Sequence, residues 1–128
     1  MGANHRGMFR HAAALTLVGV YLMVPPASSH GGNAHVYSNA PLQRWARIGN
    51  FHSNIDCEKA RERVQRKAQD EKEEHLQGAA RMDANIDDQT IAALEAARLI
   101  KCVSKDDPRI KGIAIPLNLS WSRLIPAN

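Results

Sequence analysis

The sequence predicts an all-α fold. A short amphipathic helix precedes an antiparallel helical hairpin closed by one disulfide, with a flexible N-terminal linker and a flexible C-terminal tail on either side. Three observations predict it. The chain has 128 residues and two cysteines, Cys57 and Cys102. Between them lie two stretches whose apolar residues recur at intervals of three and four, the helical period. The uncharged run Ala12 to Val24, preceded by Arg6 and Arg10, has the pattern of an export segment, which would deliver the cysteines to a compartment where disulfides persist.

The two cysteines can meet only if the chain folds back. One unbroken helix would hold their Cα atoms about 68 Å apart, at about 1.5 Å per residue. A disulfide requires them within about 7 Å. Gly78, Asp83, Asn85, Asp87 and Asp88 supply the break. An antiparallel hairpin, paired like a two-stranded coiled coil, then sets Cys57 near the start of one helix beside Cys102 near the end of the other. Their bond would stabilise the fold by about 4 kcal/mol through the chain entropy it removes. Two buried free thiols are the alternative.

The remaining elements follow in order. Residues 1–29 form a signal peptide or, uncleaved, an inner-membrane anchor through residues 12–24. The apolar run spans only about 20 Å as a helix against a hydrocarbon core of about 30 Å, which favours cleavage. Pro25 and Pro26 end it, and Ala27-Ser28-Ser29 or Gly32-Asn33-Ala34 offers the small residues of a cleavage site. Residues 30–40 are a Gly-, Ser- and Asn-rich linker. Its His30 and His35 lack a nearby cysteine or carboxylate to complete a metal-ligand set.

The disulfide-stapled domain is residues 41–111. Pro41 opens a short helix in which Leu42, Trp45 and Ile48 share a face, Gly49 stops it, and Phe51 follows. These apolar residues form the third wall of the hairpin. Alternatively, Trp45 and Phe51 belong to a partner-binding surface with Arg44 and Arg47 as its polar rim.

The first long helix starts at Ser53 or Asn54, with Ser53 and Asp56 as an imperfect capping box. Cys57, Ala60, Val64 and Ala68 form its apolar face. Its charges are segregated, with Lys59, Arg61, Arg63, Arg66 and Lys67 before Asp70, Glu71, Glu73 and Glu74. Two copies packed antiparallel would match each basic block to an acidic one, giving a weak homodimer. The second helix runs from about Asp88 to Val103. Ala92, Ala96, Leu99 and Val103 form its stripe, and Arg98, Lys101 and Lys105 complement its dipole. Asp106-Asp107-Pro108-Arg109 is a turn whose aspartates accept backbone amide hydrogen bonds. Residues 112–128 are a weakly ordered tail in which Leu117, Leu119 and Trp121 alternate with polar residues.

The order of Leu22-Met23-Val24-Pro25-Pro26, Pro41-Leu42 with Trp45, Phe51 with Ser53 and Cys57-Glu58, and Cys102 followed by Asp106-Asp107-Pro108-Arg109 resembles a family of small uncharacterised exported bacterial proteins. The resemblance covers residues 20–111. It implies export and a paired Cys57 and Cys102, and it brings no activity with it.

Function is bounded mainly by exclusion. The formal net charge is +4, and setting aside Arg6 and Arg10 leaves +2. That is a weak attraction for nucleic acid, which is not expected as a partner, or for an anionic membrane. A membrane is expected only if the N-terminal segment stays uncleaved. No Ser-His-Asp or Cys-His constellation, zinc-ligand set or phosphate loop appears, so neither enzyme activity nor a cofactor or metal is expected. The expectation is a non-catalytic binding or structural module of the cell envelope, periplasmic or secreted, with an unknown protein partner. The alternative is a periplasmic stress protein that holds clients as a chaperone does.

Overall fold

In the computed structural model, which describes residues 19–31, 33–82 and 87–125, the end of the apolar run is a β-strand. The elements are β1 (Val20–Val24), β2 (Ala27–His30), β3 (Asn33–Val36), β4 (Ala46–Phe51), α1 (Asn54–Met82), α2 (Asp88–Ala96) and β5 (Lys101–Ser104). Short 3-10 turns occupy Leu42–Arg44, Ala97–Leu99 and Leu119–Leu124. The fold is therefore α/β, with two antiparallel sheets, and not all-α. Arg6 and Arg10 of the expected leader, and Asp83 and Asn85 of the expected connector, lie outside the described residues.

The first correction has a physical reason. β1 is the central strand of a three-stranded sheet of order β4-β1-β5. Val20, Leu22 and Val24 enter the core under α1, while Met23 enters a second cluster on the opposite face. A strand buried on both faces reads as a continuous apolar run, which periodicity cannot separate from a buried or exported helix. Pro25 and Pro26 stop β1, and the chain turns into the β2–β3 hairpin. Gly31, at φ 58°, takes the left-handed conformation that this tight turn requires. Within the stretch expected to be a flexible linker, His30 and Asn33–Val36 are thus paired in a hairpin.

The expected short amphipathic helix is also corrected. Leu42–Arg44 makes a single 3-10 turn, and β4 begins at Ala46. Ile48 faces α1, whereas Trp45 packs on the other side of the sheet, so the residues predicted to share a helical face are divided between two cores.

α1 matches its expected start and buried face. Ser53 Oγ accepts the Asp56 amide at 3.1 Å, and Cys57, Ala60, Val64 and Ala68 are buried. Gly78, predicted to help break the chain, lies inside α1. One helical glycine costs only about 1 kcal/mol relative to alanine. Glu73, Glu74, His75, Leu76 and Gln77 are all exposed.

The second predicted helix is shorter than its apolar stripe suggested. Asp87 caps α2 by accepting the Thr90 amide, but α2 ends at Ala96 and Ile100 is extended at ψ 147°. Cys102 consequently lies on β5. The helical hairpin is replaced by α2 packed on the β2–β3 hairpin, with Leu94 and Ala96 in the core under α1 and a charged link to it: Lys72 Nζ lies 2.5 Å from Glu95 Oε1.

The tail is packed where weak order was expected. The Arg47 amide donates to the Pro116 carbonyl at 2.7 Å, and the Asn118 amide donates to the Arg47 carbonyl at 3.0 Å. Leu117 thereby bridges to β4 in parallel, and Trp121 and Leu124 are buried against the α1 core.

Candidate functional site

Side chains alternate across a strand, so the register assigns each one to a face. Leu22 pairs with Cys102, and both join the core under α1. There Cys102 forms a disulfide with Cys57, which is fully buried, across a Cα separation of 6.0 Å. The bond ties the first turn of α1 to β5, so it joins a helix to the sheet on which it packs. The expected pairing is present, although not at the mouth of a helical hairpin.

The other face of the sheet carries a different chemistry. Tyr21 pairs with Val103, Met23 pairs with both Arg47 and Lys101, and the Lys105 amide donates to the Gly19 carbonyl at 2.8 Å. Met23 and Val103 are buried beneath Leu42, Trp45 and Ile110. Around this small core stand three cations. The Arg47 guanidinium carbon lies 5.3 Å from the centre of the Tyr21 ring, and Lys105 Nζ lies 5.2 Å from it. Lys101 Nζ lies 5.3 Å from the Trp45 ring. Each such contact contributes about 0.5–1 kcal/mol at an exposed site, which biases the side chain toward the ring without fixing it there, since ordering a Lys or Arg costs about 2 kcal/mol.

Gly19 makes room for one of these contacts. A Cβ there would lie 2.5–2.7 Å from the outer atoms of the Lys105 side chain. Among the described residues, Arg47, Lys101 and Lys105 have no carboxylate partner. The arrangement is a basic face with two aromatic rings. It can bind an anion by charge.

The predicted partner-binding residues are separated by the fold. Trp45 is 1% exposed, and its indole N–H donates to the Ala40 carbonyl at 2.9 Å, so it is a core residue rather than a docking anchor. Phe51 is half-buried against the α1 core, on the opposite face of the sheet. Arg44 is exposed on its 3-10 turn and borders a groove beside β2 and α2. Only Arg47 belongs to the basic face. Sequence reasoning missed Tyr21, placed in the export segment, and Lys101 and Lys105, assigned to a helix end. The alternation Lys101-Cys102-Val103-Ser104-Lys105 was the available signal.

Two other polar features have structural explanations. Asp107 accepts the backbone amide of Arg109 at 2.9 Å and its guanidinium at 2.7 and 3.0 Å. The guanidinium hydrogen bonds, and next the amide, hold its carboxyl down at about 2. This is a turn clamp. A cavity of about 320 Å³ between β3, α1 and α2 is bordered by Leu76, Ile91 and Leu94, with the Lys72–Glu95 pair at its wall. The hydrogen bond from Lys72 is the main reason the Glu95 carboxyl lies below its ordinary range.

His35 packs edge-on against Tyr37 with centroids 4.4 Å apart. Among the described residues, no three His, Cys, Asp or Glu side chains are grouped to hold a metal ion. No protein-family model, curated protein or solved structure matches the chain.

Proposed function

We propose that this chain is a non-catalytic protein-binding module that works outside the reducing cytosol, in the cell envelope or beyond it. The observation that carries the reading is the disulfide between Cys57 and Cys102, because such bonds persist in oxidising compartments and are rare in reducing ones. The resemblance to small exported proteins supports it. The basic face supports binding, since it gathers three cations that have no carboxylate partner among the described residues. Among the described residues, no helix is long and apolar enough to cross a membrane.

The fold restricts how export could proceed. Cleavage at Ala27-Ser28-Ser29 or at Gly32-Asn33-Ala34 would remove β1, the strand that holds β4 and β5 together. In this reading, any processing that preserves the fold falls before Gly19. Intact mass of the protein recovered from its native compartment, with and without reduction, tests both points after alkylation. The expected result is a chain that retains Gly19 and takes up two alkyl groups only after reduction. Two thiols alkylated without reduction would overturn export, and an N-terminus beyond Val24 would overturn the processing limit.

A further inference from the structure

We infer that the basic face of the sheet docks an acidic segment of a partner protein, a step that rests on reading the chain as a binding module. Three observations carry it. Arg47 lies on β4, Lys101 opens β5 and Lys105 directly follows its end, and the three have no carboxylate partner among the described residues. Each of the three lies near an aromatic ring, which favours the side-chain positions that a ligand would meet. The third observation is an apolar margin. Leu117 bridges to Arg47 in parallel, which puts its side chain on the same face, and it is 53% exposed.

Geometry narrows the partner. Lys101 and Lys105 are four residues apart on an extended chain, so their Cα atoms are about 13 Å apart. Val103, between them on this face, lies under Leu42, Trp45 and Ile110, so acidic groups of the partner reach Lys101 and Lys105 from either side of that cover. Arg47, two strands away at about 10 Å, meets a carboxylate at the far side of the segment. The apolar margin suits a peptide side chain better than a phosphate polymer, and the small net charge gives the molecule little general attraction for polyanions.

The test uses the full oxidised chain, with poly-L-glutamate as the probe and nuclear magnetic resonance as the readout. Binding is expected to shift the amides around Tyr21, Arg47, Lys101 and Lys105 and to weaken as salt rises. K101E/K105E is expected to weaken binding by at least about tenfold, and G19A, which displaces Lys105 without altering charge, by about threefold. The matched reversal K59E/R63E on exposed α1 is expected to leave affinity unchanged. If K101E/K105E does not fold, K101Q/K105Q provides the same comparison.

Equal losses in the α1 and β5 variants would reduce the effect to net charge and overturn the inference. So would the absence of poly-L-glutamate binding, or binding only to phosphatidylglycerol vesicles. If poly-L-glutamate does not bind but the cysteines recovered from the native compartment are paired, the acidic partner is wrong and the exported module stands. Unpaired cysteines there would overturn the module whatever the titration shows.

Discussion

Tyr21 shows how one residue can take its role from its neighbours. In sequence it is the only aromatic in an apolar run, and in the fold it is a half-buried ring with Arg47 on one side and Lys105 on the other. Asp107 is a second case, in which a carboxylate that invites a catalytic reading is occupied by Arg109. Arg109→Ala is therefore expected to raise the Asp107 carboxyl from about 2 toward its ordinary 3.8, as read by carboxyl-carbon titration. The sign follows from the lowered value. The clamp's contribution is fully present above the ordinary carboxyl range and is lost as pH falls through about 2. An unchanged Asp107 titration in the variant would mean that the guanidinium bonds do not hold the carboxyl down.

At the scale of elements, legibility followed the number of faces each element buries. α1 was legible because one face is buried and the rest is solvated, so Cys57, Ala60, Val64 and Ala68 stand out at helical spacing, and Ser53 marks the start. β1 was not, because burial on both faces erased the alternation that identifies a strand. β5 was hidden for a different reason. Val103 continued the helical spacing of Ala92, Ala96 and Leu99, but Leu99 is 41% exposed and the chain becomes extended at Ile100. The basic face was lost with these two strands, since Tyr21, Lys101 and Lys105 lie on them or at their end. The disulfide partners were legible from the cysteine count and the export pattern, and so was the helix that carries Cys57, but not the strand that carries Cys102.

The link between α1 and α2 also belongs to this scale. Lys72 and Glu95 are partly exposed, so their pairing contributes modestly. Lys72→Ala is expected to cost no more than about 1 kcal/mol in urea denaturation, without altering the slope of the transition. A loss of several kcal/mol would show that α2 depends on this pair rather than on its packing against β2 and β3.

For the molecule as a whole, the disulfide and the central strand act together. The bond closes 45 residues of chain, worth about 4 kcal/mol in lost unfolded-state entropy. Domains of this size are stable by only about 5–15 kcal/mol, so the bond supplies a large share of the margin. It connects α1 to β5, while β1 connects β5 to β4 and, through β4, to the packed tail. β1 is thus the element on which both the stapled core and the basic face depend. Native-state hydrogen exchange on the oxidised chain tests that dependence most directly. The amides of Tyr21, Leu22 and Met23 are expected to be among the slowest, opening only with global unfolding. Exchange there as fast as at the exposed Glu73 and Glu74 would contradict the fold and every functional statement that rests on it.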